Sequence, residues 1–328
     1  MAEEPTPIEG TRTHRALAVM ADYLVMLAVL AALVLVFSIA SKRFFNISTF
    51  STLANQIPHL TVIAVGMTFV LIIAGIDLSV GSVMALSGMM LGIAVVDWQW
   101  PVWLAVPLCL IVGLACGVLN GAITVRWAIP SFIVTLGMME VARGSAYLVT
   151  GSQTKHIGAR IEFVGSPLPC IDVSPAFFMA IFVVVLGQLV LSRTAFGRHV
   201  FAVGGNPEAA RLSGIRLGRV RMAVFAISGL LAGLGAWFYT GHLPTADPNA
   251  GIFLELRAIA AVVIGGTSLM GGRGSVIHTF FGVLIIAVLD SGLASVGAQE
   301  PVKRVVIGSV IILAVIADTY RHRLPGRQ

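Results

Sequence analysis

The sequence predicts an all-α, polytopic integral membrane protein of about ten transmembrane helices, with discontinuous segments among them. Three observations carry the prediction. Hydrophobic residues fill 57% of the 328 positions and charged residues only 11%, where a soluble domain carries about a quarter charged. Apolar runs of spanning length recur along the chain, and the mean hydropathy is +0.95. Two of those runs are broken by glycine and hydroxyl residues.

After a polar tail, 1–15, the apolar run 16–40 is too long for a signal-peptide core and lacks a convincing cleavage site. It reads as the first span. Further segments lie near 57–74, 78–95, 102–124, 129–150, 174–193, 219–241, 255–271, 274–294 and 302–317, some shorter than the roughly 20 residues of a straight crossing. With the N-terminus inside, the stretch 193–221 and the C-terminal tail 319–328 are inside too. Roughly thirteen of the 21 lysines and arginines then lie on the cytoplasmic side, as the positive-inside rule expects. The net charge of +6 therefore reports membrane orientation, not nucleic-acid binding.

The passage 151–173 falls outside in this topology. It is mixed in charge, and a partner-facing surface and a plain connector are equally good readings. The two breaks are AGIDLSVGSV, Ala74 to Val83, and IGGTSLMGGRGSV, Ile264 to Val276. Interrupted helices are tolerated at membrane depth only where protein or a cavity covers them, and a repeated interruption points to a translocation path. Two tight interhelical turns are the competing reading. Gly113, Gly117 and Gly121, with Gly229 and Gly233, follow the G-x-x-x-G spacing of close helix packing. Cys109, Cys116 and Cys170 form no disulfide framework.

The stretch from Arg193 to Arg221 is the one strongly polar passage between long apolar runs. It holds six arginines and His199 against a single acid, Glu208. Its middle is written as a short helix, with Asn206 as N-cap, Pro207 at the first position, Glu208 at the positive end and Gly214 past the C-terminus. A capped helix inside a basic cytoplasmic passage reads as a docking surface.

Much chemistry is absent. None of Lys42, Lys155 and Lys303 follows a glycine, so no P-loop exists. The seven histidines form no zinc pattern, and no G-x-S-x-G occurs. Ionisable residues within spans are Asp77, Glu140, Arg143 and Asp290, with Glu255 and Arg257 at a span edge, each a functional candidate because burying charge in lipid is costly. Glu140 and Arg143, three apart on one helix, read as a mutually neutralising structural pair. Asp77 is placed to cap the half-helix that follows it.

GMTFVLIIAGIDLSVGSVMALSG, GRHVFAVGGNPEAARLSGI and AIAAVVIGGTSLMGGRGSV together resemble the signature stretches of ribose-type sugar ABC-importer permeases, over essentially the whole chain. The resemblance implies a bacterial inner-membrane permease with both termini cytoplasmic. Its partners would be a second permease copy, a periplasmic sugar-binding protein, and an ATPase subunit whose two nucleotide-binding domains hold ATP and Mg. The permease itself would bind no cofactor and no nucleic acid and would not be an enzyme. It also implies that Gly205, Asn206, Pro207, Glu208, Ala209, Ala210, Arg211, Leu212, Gly214 and Ile215 form the element that couples to the ATPase, its small alanines permitting close docking. The translocation path is expected at Asp77, Ser79, Asn120, Gly265, Gly266, Thr267 and Ser268. Where relatives commonly carry an acid before Ala-Ile-Ala-Ala-Val-Val, this chain has Arg257, which reads as a side chain reaching the interface or, if it borders the outer mouth, as a charge reversal that alters binding-protein recognition or sugar preference. A permease for branched-chain amino acids or nucleosides is the nearest rival, and a secondary carrier the more distant one.

Overall fold

The computed structural model describes residues 10–42 and 44–323. The expected tails lie outside the described residues at 1–9 and 324–328; residues 10–15 open the first helix and 319–323 close the last. In chain order the elements are α1 (Gly10–Ala40), α2 (Ile47–Gln56), α3 (Pro58–Ile72), α4 (Val80–Val96), α5 (Val102–Arg126), α6 (Ser131–Thr150), β1 (Lys155–His156) and α7 (Ala159–Gly165). There follow α8 (Pro175–Arg193), α9 (Ala195–Gly205), α10 (Pro207–Leu212), α11 (Leu217–His242), β2 (Thr245–Ala246), α12 (Leu254–Ile264), α13 (Val276–Ser295) and α14 (Glu300–Arg323).

Among the described residues, α1, α5, α6, α8, α11 and α13 are long and apolar enough to cross a membrane. The pair α2–α3, bent by 50°, makes a seventh. Ten full crossings are not confirmed. The expected span 255–271 is only the 11-residue α12, about 17 Å of helix against a hydrocarbon core of about 30 Å. It stops at Gly265–Gly266, where φ of Gly266 is +78°. The 17 residues of α4 also fall short, at about 26 Å. Two stretches outside the expected helices turn out to be helical: α2, which Asn46 caps by accepting from Ser48 N at 3.2 Å, and α9, which precedes the short helix expected at α10.

The core lies where α3, α4, α5 and α11 meet, and α3 is buried on every side. It has no polar face because lipid never touches it. The α5–α11 seam follows the glycine spacing. A Cβ on Gly117 would collide with Phe225 O, and one on Gly229 would lie 2.7 Å from Gly117 Cα. Only glycine lets two helix backbones approach this closely. Gly117→Leu is expected to lower the thermal midpoint of the detergent-solubilised protein by about 5 °C or more, from overpacking. A midpoint unchanged within a degree would show that the seam tolerates bulk.

One end of the bundle is tied together by the passage 151–173. Strands β1 and β2 pair antiparallel, Lys155 opposite Ala246, and Lys155 Nζ lies 2.9 Å from the Asp97 carboxylate. Ser51 Oγ donates to Asp172 Oδ2 at 2.8 Å, and Gly165 of α7 packs against the Gly241 backbone of α11. The passage is part of the packed structure. Arg143 also departs from expectation. Its Nη1 donates to Pro248 O at 2.6 Å and Ala250 O at 2.8 Å, pinning the 247–250 turn. Glu140 is exposed on α6, and no ion pair joins it to Arg143 among the described residues. The carbonyls of a distant turn reach the guanidinium, and an i, i+3 spacing only permits a pair.

Candidate functional site

The first break begins where α3 ends. Ala74 takes φ +57°, and residues 75–79 leave the helix before α4 starts at Val80. Their exposed peptide groups need partners, and α6 supplies them. Ile76 N donates to Ser131 Oγ at 3.0 Å, Leu78 N donates to Thr135 Oγ1 at 3.1 Å, and Thr135 Oγ1 donates to Ile76 O at 3.1 Å.

Asp77 turns inward and is 1% exposed. Its Oδ1 accepts from Ser79 N at 3.0 Å and from Ser79 Oγ at 2.6 Å; its Oδ2 accepts from Ser228 Oγ at 2.8 Å. Asn120 Nδ2 donates to Ser79 Oγ at 2.9 Å. A buried polar chain therefore links α5, the break and α11, and each donor is satisfied by a neighbour. The carboxylate sits beside the amino-terminal end of α4, where a helix dipole favours negative charge.

The second break runs from Gly265 to Ser275. Its return into α13 is capped from α8: Gln188 Oε1 accepts from Val276 N at 3.0 Å and from Ser275 Oγ at 3.2 Å. Thr68 and Thr279, from α3 and α13, are hydrogen-bonded at 2.7 Å. Thr267 and Ser268 are buried at 0% and 1% exposure, and Thr267 Oγ1 has no hydrogen-bond partner. Gly265 and Gly266 border a small cavity of about 140 Å³ lined also by Met26 and Ile285.

The two breaks meet, and the polar passage meets them both. Gly272 N donates to Ile72 O at 2.8 Å, so the second break is hydrogen-bonded to the end of α3. A Cβ on Gly204, at the end of α9, would fall on that same Ile72 O and 2.7 Å from Gly272 N. A Cβ on Gly271 would lie 2.9 Å from Ala74 N and from Gly204 O. Three backbones converge there without intervening side chains. No side chain stands between them to change rotamer and absorb a displacement.

Beyond Gly205 the chain turns into α10. Asn206 Oδ1 accepts from Ala209 N at 3.0 Å, Pro207 opens the helix, and Gly214 takes φ +82°. Glu208 and Arg211 pair at 2.7 Å on the surface. Ala209 is exposed and Leu212 is 79% exposed, whereas Ala210 is 4% exposed and faces the chain's own interior.

Of the residues the sequence singled out, Asp77, Ser79 and Asn120 come together, while no hydrogen bond ties Thr267 to them. Gly265 and Gly266 lie at the second break, away from that polar chain. Ser228, Ser131, Thr135 and Gln188 were not anticipated. Ser228 stands one position before Gly229 of the close-packed seam, the only local hint that its hydroxyl faces protein. Arg257 has a partner the sequence did not suggest: its Nη1 lies 3.4 Å from the Asp290 carboxylate of α13.

A helical bundle with six or seven apolar spans, and with two interrupted segments joined to a basic helical passage, is that of a polytopic membrane protein. The model of a family described as branched-chain amino acid transport system, permease component, matches residues 49–315, and the chain belongs to that family. It is 36% identical over 294 residues to the fructose import permease protein of Rhizobium meliloti, covering 87% of this chain and 82% of the relative. It is 39% identical over 295 residues to the ribose import permease protein of Bacillus subtilis, covering 87% and 89%. Against the xylose transport system permease protein of Escherichia coli K12 the identity is 35%, with 91% and 92% covered. No solved structure matches the chain.

Proposed function

We propose that this chain is the membrane-spanning permease subunit of an ATP-driven importer for a monosaccharide or related polyol. The names of the ribose, fructose and xylose import permeases support the substrate class. The observation that carries the mechanism is the convergence of Gly204, Ile72 and Gly272. The chain acts as a transport subunit, and ATP and Mg belong to a partner ATPase with two nucleotide-binding domains. Residues 205–215, with Ala209 and Leu212 outermost, form the surface that partner grips. Closure of the nucleotide-binding domains displaces α10, α9 carries the displacement to Gly204, and both breaks move as one rigid-body gate. Asp77, Ser79, Asn120, Gly265, Gly266, Thr267 and Ser268 are the moving part of the path.

A second copy of this chain completes the path, and a periplasmic sugar-binding protein delivers the cargo at the sheet-bearing end. The assembly sits in a bacterial inner membrane with both termini cytoplasmic, as the lysine and arginine distribution favours. Proteoliposomes containing the complete complex are expected to take up labelled ribose, xylose, fructose or inositol only with ATP on the ATPase side. Uptake by this chain alone would assign it to the secondary carriers, and competition by leucine in place of the sugars would assign it to the amino-acid permeases.

A further inference from the structure

At the sheet-bearing end, two adjoining cavities of about 450 Å³ each share His59, Tyr239, Leu254 and Arg257. Each matches a small-molecule pocket in size. They lie between α3, α11, α12, α13 and α14, away from the breaks and from the docking helix. The polar chain of Asp77 contributes nothing to them.

The walls carry a particular chemistry. Arg257 of α12 and Asp290 of α13 stand 3.4 Å apart, 37% and 28% exposed. Asp290 Oδ1 is buried without a hydrogen-bond partner. The rings of His59 and Tyr239 meet edge to face, 5.3 Å between centroids, on the same cavity wall. On the α14 side, Glu300 lies 3.8 Å from Lys303 and 3.7 Å from Arg304. Ionisable groups within a membrane bundle are retained where they face a cavity and one another, and here they do both.

A hydroxyl is at once a donor and an acceptor, so adjacent hydroxyls are matched by a guanidinium beside a carboxylate. Aromatic rings supply apolar area for the C–H face between those hydroxyls. Each acid in the cleft stands beside a base, so neither carboxylate is free to hold a cation; Glu300 is shared by Lys303 and Arg304, and Arg304 also lies over the Phe253 ring at 5.2 Å. We propose that this cleft is a reception site for a neutral polyhydroxylated molecule, with Arg257 and Asp290 as its recognition pair and Tyr239 and His59 as its aromatic wall. The proposal rests on the sugar-permease reading and adds to it a place and a selecting pair. The Arg257–Asp290 pair then sets which arrangement of hydroxyls is accepted.

The experiment is equilibrium binding of labelled ribose, fructose, xylose and inositol to the full chain in nanodiscs, without the binding protein. At least one label is expected to bind. Arg257→Gln and Asp290→Asn are each expected to weaken it about tenfold or more, the usual effect of leaving a charged hydrogen-bond partner unmatched. Tyr239→Phe keeps the ring and should retain most of the binding, and matched melting curves exclude misfolding. Binding that survives Arg257→Gln unchanged overturns the proposal, as does the absence of binding by the wild-type chain. Preference for a sugar acid over its neutral parent overturns the charge assignment. ATP-driven uptake by the complete wild-type complex, measured alongside, separates these outcomes from failure of the permease reading itself.

Discussion

Gly204→Val is expected to reduce ATP-driven uptake roughly a hundredfold, the upper range of a coupling free energy between distant sites. A side chain at 204 has nowhere to go: its first carbon would fall on Ile72 O and crowd Gly272 N. Valine must therefore lift α9 from the end of α3, and the Gly272–Ile72 hydrogen bond of 2.8 Å lies in the same space. The close-packed glycines of the α5–α11 seam are not among the groups a side chain at 204 would meet, so the protein should still insert and remain monodisperse. The partner ATPase should keep its unstimulated rate, because what is lost is transmission and not nucleotide chemistry. Gly204→Ala, with the same clash but less bulk, should fall between. Normal uptake by the valine variant would show that the three-backbone junction transmits nothing.

Ala209→Glu is the second large effect. Ala209 is exposed on α10 beside Glu208, so the substitution should cost the folded chain little, within about 0.5 kcal/mol as surface changes usually do. It places four more heavy atoms, a second carboxylate among them, on the face assigned to the ATPase. Sugar-stimulated ATP hydrolysis in the reconstituted complex is expected to disappear while membrane insertion is preserved. Ala210→Glu makes the contrast, since Ala210 is 4% exposed and a charge there must break the packing of α10 on its own chain. If Ala209→Glu couples normally, the docking face lies elsewhere on the basic passage.

These predictions draw unequally on sequence and structure. The helix at 207–212 was legible residue by residue, because a cap, a first-position proline and a C-terminal glycine act on peptide groups three or four positions away. The close seam of Gly117 and Gly229 was legible as a spacing. The role of Gly204 was not: it precedes Asn206 as an ordinary glycine, and its function depends on Ile72 and Gly272, each far along the chain. Arg143 failed for a related reason. Its spacing from Glu140 allowed a pair, but the carbonyls of Pro248 and Ala250 are brought to it by packing and satisfy more of its donors. Ser228 carried no signal beyond its place beside a packed glycine.

The sequence by itself determined that this is a helical membrane protein, where its two breaks lie, and that a capped basic helix divides it. Those properties follow from hydrophobic runs and short-range hydrogen bonding, which adjacent residues settle among themselves. Only the tertiary structure decided that 255–271 is a half-helix, that both breaks rest on Gly204, and that Arg257 faces Asp290 across a cleft. Each of these depends on which backbones can approach and which buried polar groups find partners, and those choices are made when distant helices pack.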